Sequence, residues 1–429
     1  MAHQSQLPEE ICMEILERLS VKSLIRFKTV CKSWRSLIST PDFIDRHYDR
    51  CAANSNKLGI VVVYANPENL WFPGPDREIY FKTINLSPTS LGEATYVTSQ
   101  VVTRCEKAKP LGWCRGLLLL GVDCIDFKLL LSNPSTRESK EIPDPPYRRL
   151  EYNYISASTL GYDFNIKSHK IVLIYKLGKF EYCIWVYTLK TNSWTCVDLD
   201  TDHKYAYYDI LPITVANGAP HWVIRHGDVY SNKHGEVYFK GGSTHNAIEY
   251  FDFAVNNFKV VPQPGDYDKR EFGFNPQLYD TEGSLCIVYR RECGCDLEIW
   301  VMETYGVKES WLKWMSFENE YVPFPLCFAK NNINVSLFVA RGRGEEGCAI
   351  YIGKEKEIEL KSLGFDEVSF DGRRRTGLFE FDRCLKKRAF AFDESLICLE
   401  NDEGGEGNIR RKLNWWELEP GEKSISYFD

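Results

Sequence analysis

The string Gly342-Arg-Gly-Glu-Glu-Gly347 fits the G-x-G-x-x-G spacing that lets backbone N–H groups approach a pyrophosphate. Such a site needs a helix opening at the last glycines. Here Cys348-Ala-Ile-Tyr-Ile follows and reads as a strand, and Glu345 and Glu346 would repel phosphate, so a hairpin loop fits better. Cys293-Gly-Cys295, beside Glu292, offers two thiolates, but zinc takes four ligands and no C-x-x-C occurs anywhere. His221 and His226 are a possible ligand pair, although His221 precedes Trp222 in a strand and reads as a core histidine. No G-x-S-x-G and no Ser, His and Asp set stands out in the loops. Arg373-Arg-Arg375, bracketed by Gly372 and Gly377, resembles a nuclear-localisation fragment and reads more simply as a solvated turn. The expectation is a chain with no catalytic residues, no metal site and no cofactor.

The bulk composition points the same way. The chain has 429 residues, room for more than one domain, with 44% hydrophobic and 14% aromatic content that leans toward β-structure. A net charge of -7 argues against a nucleic-acid binder, which needs concentrated Lys and Arg to displace counterions. The N-terminus shows no secretion signal and no apolar run is long enough to span a bilayer, so no membrane association is expected. Fifteen scattered cysteines, among them Cys183, Cys196, Cys286 and Cys398 in apolar strand-like runs, then read as reduced thiols. The sequons at Asn85 and Asn334 read as chance matches, and the expected compartment is cytoplasmic or nuclear.

With catalysis set aside, interaction surfaces are left. Three short helices are expected in residues 1–50. Pro8, Glu9 and Glu10 suit a helix start, and Ile11, Ile15 and Leu19 recur every four residues beside Cys12 and Leu16 as one wide apolar stripe. Ser20 and Ser23 break that run. A second helix turns Leu24 and Phe27 to one side, a third carries Cys31, Trp34 and Ile38, and Pro41 stops it. A unit of this size is marginal on hydrophobic burial alone and holds no metal-ligand spacing, so it is expected to dock on another protein.

The string Leu7-Pro8-Glu9-Glu10-Ile11, then Ile15-Leu16, Leu19, Val21-Lys22-Ser23-Leu24 and Val30-Cys31-Lys32-Ser33-Trp34-Arg35-Ser36-Leu37-Ile38, resembles an F-box. Ser20 departs from it, where the family commonly has Pro. The resemblance implies docking to the Skp adaptor of SCF ubiquitin ligases and, through it, to a cullin scaffold. It also implies that Leu7, Pro8, Ile11, Leu16, Leu19, Leu24, Val30 and Trp34 build or brace that interface. The alternative for Ile15, Trp34 and Ile38 is that they only pack the helices together.

From about Leu58 the pattern becomes strand-like, with turn residues every 8–12 positions. Leu131 to Pro143 aligns without a gap on Tyr250 to Pro262, Ile184 to Trp194 aligns on Ile248 to Phe258, and Ile299 to Trp311 is a fourth copy two residues longer. The anchors Ser139, Trp194, Phe258 and Trp311 are spaced by 55, 64 and 53 residues. Each copy reads as strand, polar turn and strand, with another apolar strand upstream at Gly116–Leu120, Lys170–Tyr175, Asn217–Ile224 and Gly283–Tyr289. About four strands per repeat in an all-β chain indicates propeller blades, six to eight in number.

The segments Gly112-Trp-Cys-Arg-Gly, Ser132-Asn-Pro-Ser-Thr-Arg, Gly161-Tyr-Asp, Asn217-Gly-Ala-Pro-His-Trp and Ile299 to Trp311 resemble the kelch-like F-box-associated domain of the large plant F-box family. One branch of it, the pollen S-locus F-box proteins, recognises ribonucleases, and no residue assigns the chain to that branch. The expected organisation is a small all-α F-box at 1–50, a large all-β propeller at 51–400 that binds substrate, and a low-complexity tail at 401–429. The resemblance implies a non-catalytic substrate receptor of an SCF-type E3 ligase with one or more protein substrates. The alternatives are an F-box scaffold outside a ligase and a propeller enzyme such as a glycosidase. Loop aromatics Trp71-Phe72, Tyr147 to Tyr154, and Tyr205, Tyr207 and Tyr208 are the candidate substrate contacts, since such rings give contact area at little entropic cost.

Overall fold

The computed structural model describes the helices and strands named here, the short turns between them and residues 394–399; residues 1–7, 400–429 and the longer connections lie outside the described residues. The chain divides into two units, Met1–Leu399 and Glu400–Asp429, and every described element belongs to the first.

The N-terminal region holds four helices, which corrects the expected three: α1 (Glu9–Glu17), α2 (Val21–Phe27), α3 (Lys32–Ile38) and α4 (Pro41–Ala53). Pro41 was expected only as a stop. It does follow the end of α3, but it is also the first residue of α4, where a missing N–H and a fixed φ suit a helix. Thr40 supports that start, its hydroxyl accepting from the Phe43 amide at 3.3 Å.

Six four-stranded antiparallel sheets follow among the described residues, within the expected six to eight blades. Blade I holds β1 (Lys57–Tyr64), β2 (Arg77–Asn85) and β3 (Thr95–Cys105). Blade II is β4 (Lys107–Cys114), β5 (Leu117–Asp123), β6 (Phe127–Asn133) and β7 (Glu138–Ile142). Blade III is β8 (Ile155–Asp163), β9 (Ser168–Lys176), β10 (Tyr182–Thr188) and β11 (Ser193–Val197). Blade IV starts with β12 (Thr214–Ala216) and β13 (Ala219–His226), inserts a hairpin of β14 (Val229–Ser231) and β15 (Val237–Phe239), and ends with β16 (His245–Asp252) and β17 (Asn257–Val261). Blade V is β18 (Gln277–Thr281), β19 (Ser284–Arg290), β20 (Leu297–Met302) and β21 (Trp311–Phe317). Blade VI is β22 (Pro325–Asn331), β23 (Val335–Arg341), β24 (Cys348–Ile352) and β25 (Lys361–Ser362). The last strand, β26 (Arg388–Ala391), returns to pair antiparallel with β1, with Gly59 opposite Phe390, and completes blade I.

First strands lie side by side around the ring, β4 on β8, β12 on β18, β18 on β22 and β22 on β26, so strands from both ends of the propeller join it. Blades pack on both faces, which is why Leu117 through Leu120 are buried without alternation. The four sequence copies are the third strand, turn and fourth strand of blades II to V. Arg137, Asn192 and Asn256 occupy the same turn position and share a left-handed backbone, with φ of 61°, 50° and 51°. The two extra residues of the fourth copy are absorbed by a 3-10 turn at Lys308–Ser310. The anchor indoles tie blades together. Trp194 Nε1 donates to the Pro143 carbonyl at 2.6 Å and Trp311 Nε1 to the Pro262 carbonyl at 2.8 Å, each reaching the residue after the preceding blade's last strand.

Gly161 shows how closely the first strands approach. A Cβ there would stand 2.5 Å from the Phe253 ring and 2.8 Å from the Gly218 carbonyl oxygen, both in blade IV. Gly161→Ala is therefore expected to lower stability by about 1–3 kcal/mol, as overpacking of a close-packed core does. A urea melt matching wild type would show that the blades can separate without cost.

Candidate functional site: the F-box surface and its seat on the propeller

The helices of the F-box are built by local caps. The Pro8 carbonyl accepts from the amides of Ile11 and Cys12, and Glu9 and Glu10 fill the first turn of α1. Ser20, the departure from the family pattern, caps α2 with its hydroxyl on the Ser23 amide. Cys31 caps α3, its sulfur accepting from the Trp34 amide at 3.5 Å.

The wide apolar stripe of α1 splits into two faces. Leu16 joins Val21, Leu24, Ile38 and Phe43 in a sealed core, with Leu19, Phe27 and Trp34 packed against it. Ile11 and Ile15 point outward, 44% and 49% exposed, and Val30 after α2 is 62% exposed. Of the residues implied as adaptor contacts, Pro8, Ile11 and Val30 are on the surface, Leu19 and Trp34 are half-buried, and Leu16 and Leu24 are interior braces. Leu7 lies outside the described residues. Of the residues whose alternative was helix packing alone, Ile15 is exposed, Trp34 is half-buried and Ile38 is buried.

A second surface of the F-box meets the blades. Asp42, Asp45 and Asp49 recur at i, i+3 and i+7 on α4 and so share one face. Opposite them stand Arg115, from the β4–β5 turn, and Tyr162 and Lys167, from the end of β8 and its turn. Arg115 donates to Asp49 at 3.1 Å and Asp45 at 3.4 Å, and its guanidinium lies 4.2 Å from the Tyr48 ring and 4.6 Å from that of Tyr162. Lys167 Nζ adds Asp42 at 3.3 Å, and the Tyr162 hydroxyl donates to Asp45 at 3.3 Å. Burial, and then the Asp45 charge, push the Tyr162 pKa up to about 12, so it remains a donor. To reach this position Arg115 adopts φ of 43°, unusual for a residue with a Cβ, in a turn completed by Gly116. Arg115→Ala is expected to destabilise the seat by about 2 kcal/mol, between the values for exposed and buried ion pairs. A double-mutant cycle with Asp45→Ala, read in denaturant melts, checks this; additive effects would mean the pair contributes nothing.

Sequence reasoning missed this seat because α4 lay hidden behind Pro41. The available signal was the Asp spacing in residues 42–49, together with Arg115 inside a family-like motif.

The residues that suggested chemistry fall elsewhere. His221 on β13 is fully buried, its Nδ1–H donating to the Ala219 carbonyl at 2.9 Å and its Nε2 accepting from the Tyr305 hydroxyl at 2.7 Å. His226 lies five residues along the same strand, about 16 Å away, so the two do not converge. Arg341 pairs with Cys348 across an antiparallel hairpin, so no helix opens after the glycine-rich string. Cys114 and Cys286 are buried, with thiol pKa values raised by burial, whereas Cys196 and Cys398 are exposed. The Cys293–Cys295 pair, Arg373–Arg375 and the aromatic loops lie outside the described residues. Among those described, no three His, Cys, Asp or Glu are placed to hold a metal.

Comparison with known proteins agrees with this architecture. Residues 76–373 match the F-box associated beta propeller domain and residues 4–46 the F-box domain. The F-box protein CPR1 of Arabidopsis thaliana is 26% identical over 72% of this chain and 72% of its own length. The F-box/LRR-repeat/kelch-repeat protein At2g27520 of the same plant is 27% identical over 86% of this chain and 92% of its own. An acylaminoacyl peptidase from Pyrococcus horikoshii superposes with a TM-score of 0.37 at 12% identity, over 72% of this chain and 51% of its own, too loose a match to inform function. Among the described residues a four-helix F-box sits on six antiparallel blades, and with the propeller family matching well over half of its length the chain belongs to the plant F-box proteins that carry an F-box-associated β-propeller domain.

Proposed function

We propose that this protein is the substrate receptor of an SCF-type ubiquitin ligase. Its F-box binds the Skp adaptor, and through it a cullin, while the propeller holds a target protein. The observation that carries the reading is the division of the F-box surface. One side is fixed to the blades through Arg115 and Lys167, while Ile11, Ile15 and Val30 stay exposed outside the buried F-box core. The receptor needs no catalytic residue. It contributes proximity, raising the effective concentration of a substrate lysine near the charged conjugating enzyme.

The ring also suggests where the target goes. Connections in an antiparallel sheet alternate between its two ends. Arg115 and Lys167, which meet the F-box, stand on first-to-second strand turns, and Asn133, which holds Ser395 and Ile397, on a third-to-fourth strand turn, all at one end. The last strands of blades II to V finish at the opposite end, at Ile142, Val197, Val261 and Phe317, and that end is the one assigned to the target. This reading places the protein in the cytosol or nucleus.

A pulldown on the full-length chain with purified Skp adaptor and cullin tests it. Recovery of both supports the receptor, recovery of adaptor without cullin favours a scaffold outside a ligase, and recovery of neither defeats the reading.

A further inference from the structure

The short segment 394–399, just after the closing strand β26, reaches both halves of the molecule in alternation. Glu394 Oε2 accepts from the Val21 amide at 2.9 Å, capping α2 from 373 positions away. Leu396, 1% exposed, completes the F-box core beside Leu16, Leu24 and Phe43. The intervening residues turn to blade II. Asn133 Nδ2, fully buried, donates to the carbonyls of Ser395 and Ile397 at 3.0 and 2.8 Å, and Ser135 Oγ accepts from the Ser395 amide at 3.1 Å. The Leu399 amide donates to Glu138 at 2.9 Å while its side chain enters the blade core.

We propose that this segment is a latch that makes adaptor docking conditional on closure of the propeller. β26 ends at Ala391, and the latch begins three residues later. The chain therefore supplies the last strand of the ring and the last core residue of the F-box together, after every other blade strand. A chain whose ring is open lacks Leu396 in the F-box core and the carboxylate on the α2 terminus. Its helices fray next to the surface that carries Ile11 and Val30. An unfinished receptor is thus kept from the ligase.

The proposal rests on the adaptor-docking reading, and the test separates the two. Adaptor affinity is measured for the full-length chain, Leu396→Ala, Asn133→Ala and Ser135→Ala, alongside hydrogen exchange of the α2 and blade II amides. Leu396→Ala and Asn133→Ala are each expected to weaken adaptor binding at least tenfold and to speed α2 exchange. Asn133 is the decisive position because its side chain holds the latch from the propeller side. Affinity and α2 exchange within twofold of wild type for Asn133→Ala overturn the coupling, even where Leu396→Ala weakens binding. If Asn133→Ala loosens blade II itself, Ser135→Ala, which removes only the Ser395 acceptor, decides by the same criterion. Failure of the wild-type chain to bind adaptor defeats the docking reading alone; unchanged α2 exchange in the variants then overturns the latch.

Discussion

Replacing Ile11 and Ile15 together with aspartate is expected to lower affinity for the Skp adaptor at least a hundredfold, about 2.7 kcal/mol, while leaving the fold intact. Both side chains are about half exposed, so the free protein loses little packing. They lie one helical turn apart on the same face of α1, and docking that face would require two carboxylates to give up their water. Asp at position 11 sits in the first turn, where the helix end favours negative charge, so α1 itself persists. The comparison variant is Leu16→Ala, which removes an interior side chain and is expected to lower the melting temperature as well as binding. Isothermal titration paired with thermal melts separates the two. Equal affinity for wild type and the double aspartate variant would remove Ile11 and Ile15 from the interface.

The second large effect is acid sensitivity of the propeller. Burial pushes the His169 pKa down to about 3 and that of His221 to about 4. Both rings are committed as neutral hydrogen-bonding groups: His169 Nε2 donates to the Cys114 carbonyl at 3.1 Å, and His221 accepts from Tyr305 while donating to Ala219. A lowered pKa for a base means that the unfolded chain binds more protons than the folded one below pH 6.5. Stability is then full above that value and falls as pH drops toward the folded values. At pH 5 each imidazole is expected to cost about 2 kcal/mol relative to pH 7.5, a large part of an ordinary folding free energy. His47, buried between α4 and the Leu19 carbonyl, has its pKa lowered by burial and adds to the same trend in the F-box. Urea melts from pH 7.5 to 5 check this against His169→Gln/His221→Asn, whose slope is expected to be flatter. Parallel slopes would show that other groups set the acid limit.

The parts of this molecule legible in its sequence are those written locally. The F-box follows from spacings within thirty-five residues. The blades follow from strand, turn and strand copies in which Arg137, Asn192 and Asn256 occupy one left-handed position. Contacts made at a distance were not legible. Nothing near Glu394 or Leu396 indicates that they finish a domain more than 350 residues earlier, and Asn133 and Ser135 looked like turn residues although they also hold the latch. Ile15 and Ile38 carry the same side chain in similar apolar patterns, yet one faces solvent and the other is sealed, since the stripe of α1 is wider than the core that one face can fill. Pro41 misled for a different reason. A proline that ends one helix can begin the next, and which role it takes depends on what its helix packs against.

The proposed adaptor surface lies on α1 and the α2–α3 turn, and the charged seat on α4 meets the blade turns that carry Arg115 and Lys167. Hydrogen exchange of the full-length chain with and without purified Skp adaptor tests that account most directly. The expected result is protection concentrated in residues 8–15 and 27–34, with the amides of α4 and the blade turns unchanged. Protection at the blade turns with none on α1 would contradict it.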